Sequence, residues 1–108
     1  QWPLGHRVQL VRADEIDGIE AQGDYAGLHV GAHMHLLREP LQRLGLRLDP
    51  AQFARIHRAT IVRLDRVAEM QALSNRDPLL RLRDGTVLRA SRTHVDALRA
   101  ALLTGEPA

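Results

Sequence analysis

The segment FARIHRATIV, residues 53–62, gathers the side chains best suited to binding chemistry: Arg55, His57, Arg58 and Thr60, interleaved with Phe53, Ile56, Ile61 and Val62. Apolar residues at these spacings would anchor a half-buried strand pair, and the polar residues would then form a basic segment at its bend. A guanidinium clamped between core residues keeps its direction. That suits it to phosphate oxygens or to the O6/N7 edge of guanine. A plainer reading fits the same residues, with Arg55 and Arg58 on a solvated face and His57 a hydrogen-bonded structural histidine.

A second place for chemistry is His29, His33 and His35, where three imidazoles in seven residues invite a zinc site. Register argues against it. Gly31-Ala32 suits a two-residue hairpin loop with glycine first, which pairs Val30 with His33, His29 with Met34 and Leu28 with His35. His29 then points to the opposite face from the other two, with no cysteine and no nearby carboxylate on that face to complete a ligand set. No metal and no cofactor are expected. A hydrolase built on His57 with Asp65 or Asp84 lacks both a nucleophile motif and a pocket signature, so no enzymatic activity is expected either.

A third place is Ser91-Arg92-Thr93. Ser91 reads as the N-cap of a helix from about Arg92 to Leu103, with Val95, Leu98 and Leu102 at i, i+3 and i+7. Arg92 opposes the dipole of that helix by roughly 0.3 to 1 kcal/mol, so helix stability does not ask for it. Free N–H groups beside a Ser/Thr pair and an arginine make a phosphate site.

Composition limits what these residues can serve. A chain of 108 residues fits a single domain, with the ordered core expected over about residues 6–103. Aromatics are only Trp2, Tyr25 and Phe53, too few for a base-stacking platform of the single-strand type. All fifteen basic residues are arginine, against thirteen acids. Ten arginines and five acids lie between Arg55 and Arg99, while residues 1–54 hold five and seven. This asymmetry favours a polyanionic partner. Cysteine is absent, no apolar run approaches the length of a membrane span, and there is no signal-peptide pattern. Beginning at Gln1-Trp2-Pro3, the chain reads as part of a longer one, with a regulatory or sensor region outside it.

The elements that would position these groups follow from period and punctuation. HRVQLVR (6–12), IDGIEAQ (16–22), YAGLHV (25–30) and HMHLL (33–37) read as a meander of strands, with a turn at Gly23-Asp24. PLQRLGLRL (40–48) reads as a short helix with Pro40 at its first position, its Arg43 and Arg47 facing outward. The FARIHRATIV hairpin comes next. Residues 64–75 are ambiguous in period, Asn75 to Pro78 forms a turn, and LLRLRDGTVLRAS reads as a hairpin across Asp84-Gly85. The fold class expected is mainly β: small packed antiparallel sheets, a short helix near 40–48 and a C-terminal helix near 92–103.

Taken together, DEIDGIEAQGDYAGLHV, HLLREPLQRL, LDPAQFARIHRATIVRLDRV and RDGTVLRASRTHVDAL resemble a LytTR domain, the DNA-binding output module of many bacterial response regulators. The resemblance spans most of residues 12–98. It implies a cytoplasmic domain that places loops, rather than a recognition helix, into successive major grooves of double-stranded DNA, with a receiver domain elsewhere in the chain and pairing of two copies on direct repeats. Carried onto this sequence, its contact positions are Asp24, Tyr25 and Ala26, then Arg58 and Ala59, then Arg89, Arg92 and Thr93. Arg55 and His57 fit structural support better. Two departures stand out: the residue after I-V is commonly asparagine in the family but is Arg63 here, and Ala26 offers no polar group to a base, which weakens or shifts the first loop. The competing function is a protein-interaction or dimerisation module whose arginines meet acidic partners. Steep salt dependence and preference among duplexes would separate the two.

Overall fold

The computed structural model describes residues 11–71 and 77–104. It is mainly β. A five-stranded antiparallel sheet has the order β3-β2-β1-β5-β4, built from β1 (Gly18–Gln22), β2 (Tyr25–Val30), β3 (His33–Leu37), β4 (Phe53–His57) and β5 (Thr60–Arg63). A three-stranded antiparallel sheet follows in the order β6-β7-β8, from β6 (Val67–Gln71), β7 (Leu79–Leu82) and β8 (Val87–Arg89). Helix α1 (Leu41–Arg47) joins β3 to β4, and helix α2 (Arg92–Thr104) closes the fold.

The expected register of the β2–β3 hairpin is the observed one: Val30 pairs His33, His29 pairs Met34 and Leu28 pairs His35. Glycines at positive φ make its turn and that of β1–β2, Gly31 at 58° and Gly23 at 61°, a region that other residues enter at a steric cost. The strand expected at residues 6–12 falls mostly outside the described residues, as does part of the turn expected at 75–78. Residues of ambiguous period resolve into a 3-10 turn, Leu64–Arg66, followed by β6.

Pro40 corrects the sequence reading by one residue. It has φ −63° and ψ 142°, so it caps α1 rather than opening it. The ring fixes φ at a value that suits both positions, and ψ decides. Its carbonyl still starts the helix, accepting from the N–H groups of Arg43 and Leu44, both at 3.1 Å.

Alternation along β4 and β5 feeds two cores at once. Phe53 and Ile61 join Ile19, Leu28, Leu41 and Leu44 under α1. Ala54, Ile56 and Val62 face the other way, onto Leu80, Leu82, Leu88 and Leu98 of the second sheet and α2. Ile56, Val62, Leu80 and Leu98 are fully buried, so this second core is what docks the smaller sheet and α2 on the larger one.

Arg63, the departure from the family pattern, is buried. Its Nε donates to the Ile16 carbonyl at 2.8 Å, Nη2 donates to the Ala13 carbonyl, and the guanidinium lies 4.7 Å from the centroid of the Phe53 ring. It therefore ties the 3-10 turn Ala13–Glu15, where the chain enters the sheet, to the end of β5. An asparagine is too short to span this gap.

Two outcomes follow for stability. Leu98→Ala should lower the unfolding free energy by about 2 to 5 kcal/mol in a denaturant melt, and an unchanged midpoint would mean that α2 does not dock as described. Arg63→Asn should cost about 1 to 3 kcal/mol, because it strips donors from carbonyls at a partly buried junction. A variant as stable as the parent would show that the entry turn holds without Arg63.

Candidate nucleic-acid interface

Strand pairing brings the three expected contact segments to one end of the molecule. β1 runs antiparallel to β5, with Ile19 opposite Ile61 and Glu20 opposite Thr60. The far end of β1, with its Gly23-Asp24 turn, therefore lies beside the bend Arg58-Ala59 between β4 and β5. A bond from the Ala21 N–H to the Ala59 carbonyl at 2.8 Å fastens the two. The start of α2 reaches the same end, because the Ser91 N–H donates to the Ile56 carbonyl at 2.6 Å.

Of the expected contact residues, Asp24, Tyr25, Arg58, Arg89, Arg92 and Thr93 are exposed and Ala59 is half-buried. Ala26 is the exception. It is 0% exposed and packs in the core under α1, while its backbone pairs Ala21 on one side and Leu37 on the other. A residue paired on both edges and buried on its side-chain face cannot reach a partner, so Ala26 leaves the set. Arg89 sits on the exposed face of β8, two residues before Ser91.

What the arginines are bonded to separates two groups. Arg12, Arg47, Arg66 and Arg81 pair with Asp14, Glu39, Asp17 and Glu69 at 2.7 to 3.2 Å. Arg55, Arg63 and Arg83 donate to backbone carbonyls. Among the described residues, the side chains of Arg58 and Arg89 have no such partner, and Arg92 has only Asp77, at 3.9 Å. That distance is beyond a hydrogen bond, and the pair is solvated, so it holds Arg92 weakly. Arg99, further along α2, is likewise exposed and without such a partner among the described residues, so it is position beside the converging segments, together with weak commitment, that distinguishes Arg58, Arg89 and Arg92.

Around Ser91 the local chemistry exceeds what the sequence reading found. The Ser91 hydroxyl lies 2.6 Å from the Thr93 hydroxyl and 2.8 Å from His94 Nδ1, which is 3.2 Å from Thr93 Oγ1. His94 was not among the expected residues. The i, i+3 spacing of Ser91 and His94 across the first turn of a helix was the available signal. This cluster orders the hydroxyls that flank Arg92.

The histidines near the β2–β3 turn separate as register requires: His29 Nε2 bonds Glu20 Oε1 at 2.8 Å on the face opposite His33 and His35. Among the described residues no group of acids and histidines could hold a metal ion. An open cleft of about 890 Å3 lies at the opposite end, between the β2–β3 and β7–β8 turns. Its polar groups are already engaged. Asp17 accepts from Arg66 at 2.8 Å and from the Gly31 N–H at 3.0 Å. Asp84 accepts from the Thr86 N–H at 2.9 Å, a bond that holds its carboxyl below the usual carboxylate range. The cleft is a junction between sheets. No helix among the described residues is long and apolar enough to cross a membrane.

Comparison with known proteins agrees with the fold. The family model of the LytTr DNA-binding domain matches residues 6–103. The transcriptional regulatory protein LytR of Staphylococcus aureus (strain MW2) is 27% identical over 99 residues, covering 92% of this chain and 40% of that protein. An uncharacterized response regulatory protein of Vibrio cholerae is 31% identical over 67 residues, covering 58% of this chain and 26% of its own length. The chain thus spans about two fifths of the length of the LytR proteins it matches. Among solved structures, a LytTr DNA-binding domain from Bacillus cereus superposes with a TM-score of 0.76 at 19% identity, over 87% of this chain and 85% of that one. With the family model covering nearly the whole chain and the same fold found in a solved relative, this protein belongs to the LytTR family of DNA-binding domains.

Proposed function

We propose that this domain binds duplex DNA with sequence preference, as the output part of a cytoplasmic transcriptional regulator, through Asp24, Tyr25, Arg58, Ala59, Arg89, Arg92 and Thr93. One observation carries the reading: three exposed, weakly held or unpaired arginines lie beside three backbone segments that converge at one end of the fold. Each residue has a part that its chemistry allows. Arg58 and Arg92 contact bases or phosphates, Arg89 a phosphate, and the Tyr25 and Thr93 hydroxyls phosphate oxygens. Asp24 can accept from the amino group of cytosine, and Ala59 can meet a thymine methyl.

The relatives named as transcriptional and response regulatory proteins are longer than this chain. The reading therefore extends to a receiver domain elsewhere in the protein, whose phosphorylation promotes pairing of two copies on direct repeats.

Selection of bound duplexes from a random pool tests the core of this reading. A motif of roughly half-site length should be enriched, and binding to it should weaken steeply with salt. Enrichment of nothing, with equally weak binding to every duplex, would overturn it in favour of an acidic protein partner. On the selected duplex, Arg58→Ala should cost about 1 to 3 kcal/mol of binding if the side chain reads a base, with the melting curve unchanged. The same loss on unrelated duplexes would assign Arg58 to a phosphate instead. Arg89→Ala should weaken all duplexes alike and lower the salt slope by about one. A sequence-dependent loss would contradict its phosphate role.

A further inference from the structure

We propose that Arg55 is a positioning residue for Arg58: its guanidinium clamps the bend between β4 and β5, so that Arg58 leaves the fold from an ordered backbone. The proposal rests on the DNA-binding reading of Arg58, and its test separates the two.

The bend needs such a clamp. The hairpins β1–β2, β2–β3 and β7–β8 each turn on a glycine at positive φ, Gly23, Gly31 and Gly85. By contrast, His57-Arg58-Ala59-Thr60 contains none of the residues that ordinarily specify a tight turn, and the ladder is irregular just before it, between Arg55 and His57. Side chains hold it instead. Arg55 Nε donates to the His57 carbonyl at 2.9 Å and its Nη2 donates to the Arg58 carbonyl. The Ala59 N–H donates to His57 Nδ1 at 3.2 Å, and the Ala59 carbonyl accepts from Ala21. All three carbonyls from His57 to Ala59 are thereby occupied.

Arginine suits the task because Nε and Nη2 present two donors on one edge of a rigid plane, which can hold two successive carbonyls at once. Lysine offers a single point of donation on a flexible stem. There is also an electrostatic gain. Carbonyl oxygens at the tip of a bend would repel an approaching phosphate, and here those of His57 and Arg58 are bonded to the half-buried Arg55 cation. An ordered backbone further lowers the entropy lost when the exposed Arg58 side chain is fixed by a partner.

A double-mutant cycle on the selected duplex, with Arg55→Met and Arg58→Ala, tests this, together with amide hydrogen exchange of the free domain. Arg55→Met should weaken binding by about tenfold in the parent and cause little further loss in the Arg58→Ala background, a non-additivity expected of residues in contact. Exchange at the Ala59 amide, which donates to His57 Nδ1, should quicken, while amides around Leu98 stay protected. Losses that simply add would make Arg55 an independent DNA contact and overturn the proposal. So would a parent-like affinity and exchange pattern in Arg55→Met. If Arg58→Ala itself leaves binding unchanged, the DNA-binding role of Arg58 fails, and exchange still decides whether Arg55 orders the bend. Should Arg55→Met not fold, Arg55→Lys replaces it, keeping the charge and the stem without the planar fork, and the same two readouts apply.

Discussion

The pairing of β1 with β5 is the constraint on which the rest of this molecule depends. It joins Gly18, Ile19 and Glu20 to Val62, Ile61 and Thr60 across some forty residues of sequence, so its formation carries the loop-closure cost of a non-local contact. Two cores offset that cost, because β4 and β5 present Phe53 and Ile61 to one side and Ala54, Ile56 and Val62 to the other. Remove the pairing and the meander β1–β3 becomes a separate unit. The Gly23-Asp24 turn would then have no fixed relation to the Arg58-Ala59 bend, and the chain would hold separate segments instead of one surface.

Arginine serves this fold in two ways that composition alone does not separate. Arg55, Arg63 and Arg83 donate to backbone carbonyls, and Arg12, Arg47, Arg66 and Arg81 pair with acids. Of the ten arginines between Arg55 and Arg99, five (Arg55, Arg63, Arg66, Arg81 and Arg83) are thus engaged in internal bonding, and where two carbonyls are held at once lysine could not replace the planar donor. What is left over matters more than the total. Of the arginines with little or no claim on them among the described residues, which include Arg38, Arg43 and Arg99, it is Arg58, Arg89 and Arg92 that flank the converging segments. A net charge of +2 hides this, since the relevant quantity is where uncommitted cations sit.

Much of this arrangement was legible because hairpins are written locally. Alternation and the turn residues Gly23-Asp24, Gly31-Ala32 and Asp84-Gly85 were enough to place three hairpins, and loop length alone set the pairing of His29 with Met34. Ala26 shows where local rules were set aside: Ala26, Leu28 and Val30 alternate on one face of β2, which marks Ala26 as interior, yet the family motif placed it at the interface. The one-residue error at Pro40 has a different origin, since ring geometry restrains φ and leaves ψ open. Neither the β1–β5 register nor the burial of Arg63 could be read from neighbours in sequence. Both depend on partners forty or more positions away.

Geometry also favours the proposed reading in which loops, rather than a helix laid along a groove, make the contacts. Leu98 and Ala101 of α2 are buried, Leu98 in the core that joins the two sheets, so the body of α2 is committed to docking. Only its first turn, with Arg92 and Thr93, reaches the converging end. The other two segments are hairpin tips, one held by glycine geometry and the other by Arg55 and His57. Each tip offers one or two side chains, and each is fixed to the same sheet or to the helix packed on it. On the DNA-binding reading proposed above, recognition would rest on the spacing between three short segments as much as on any one residue, and DNA deformability would then have a share in any preference among sequences.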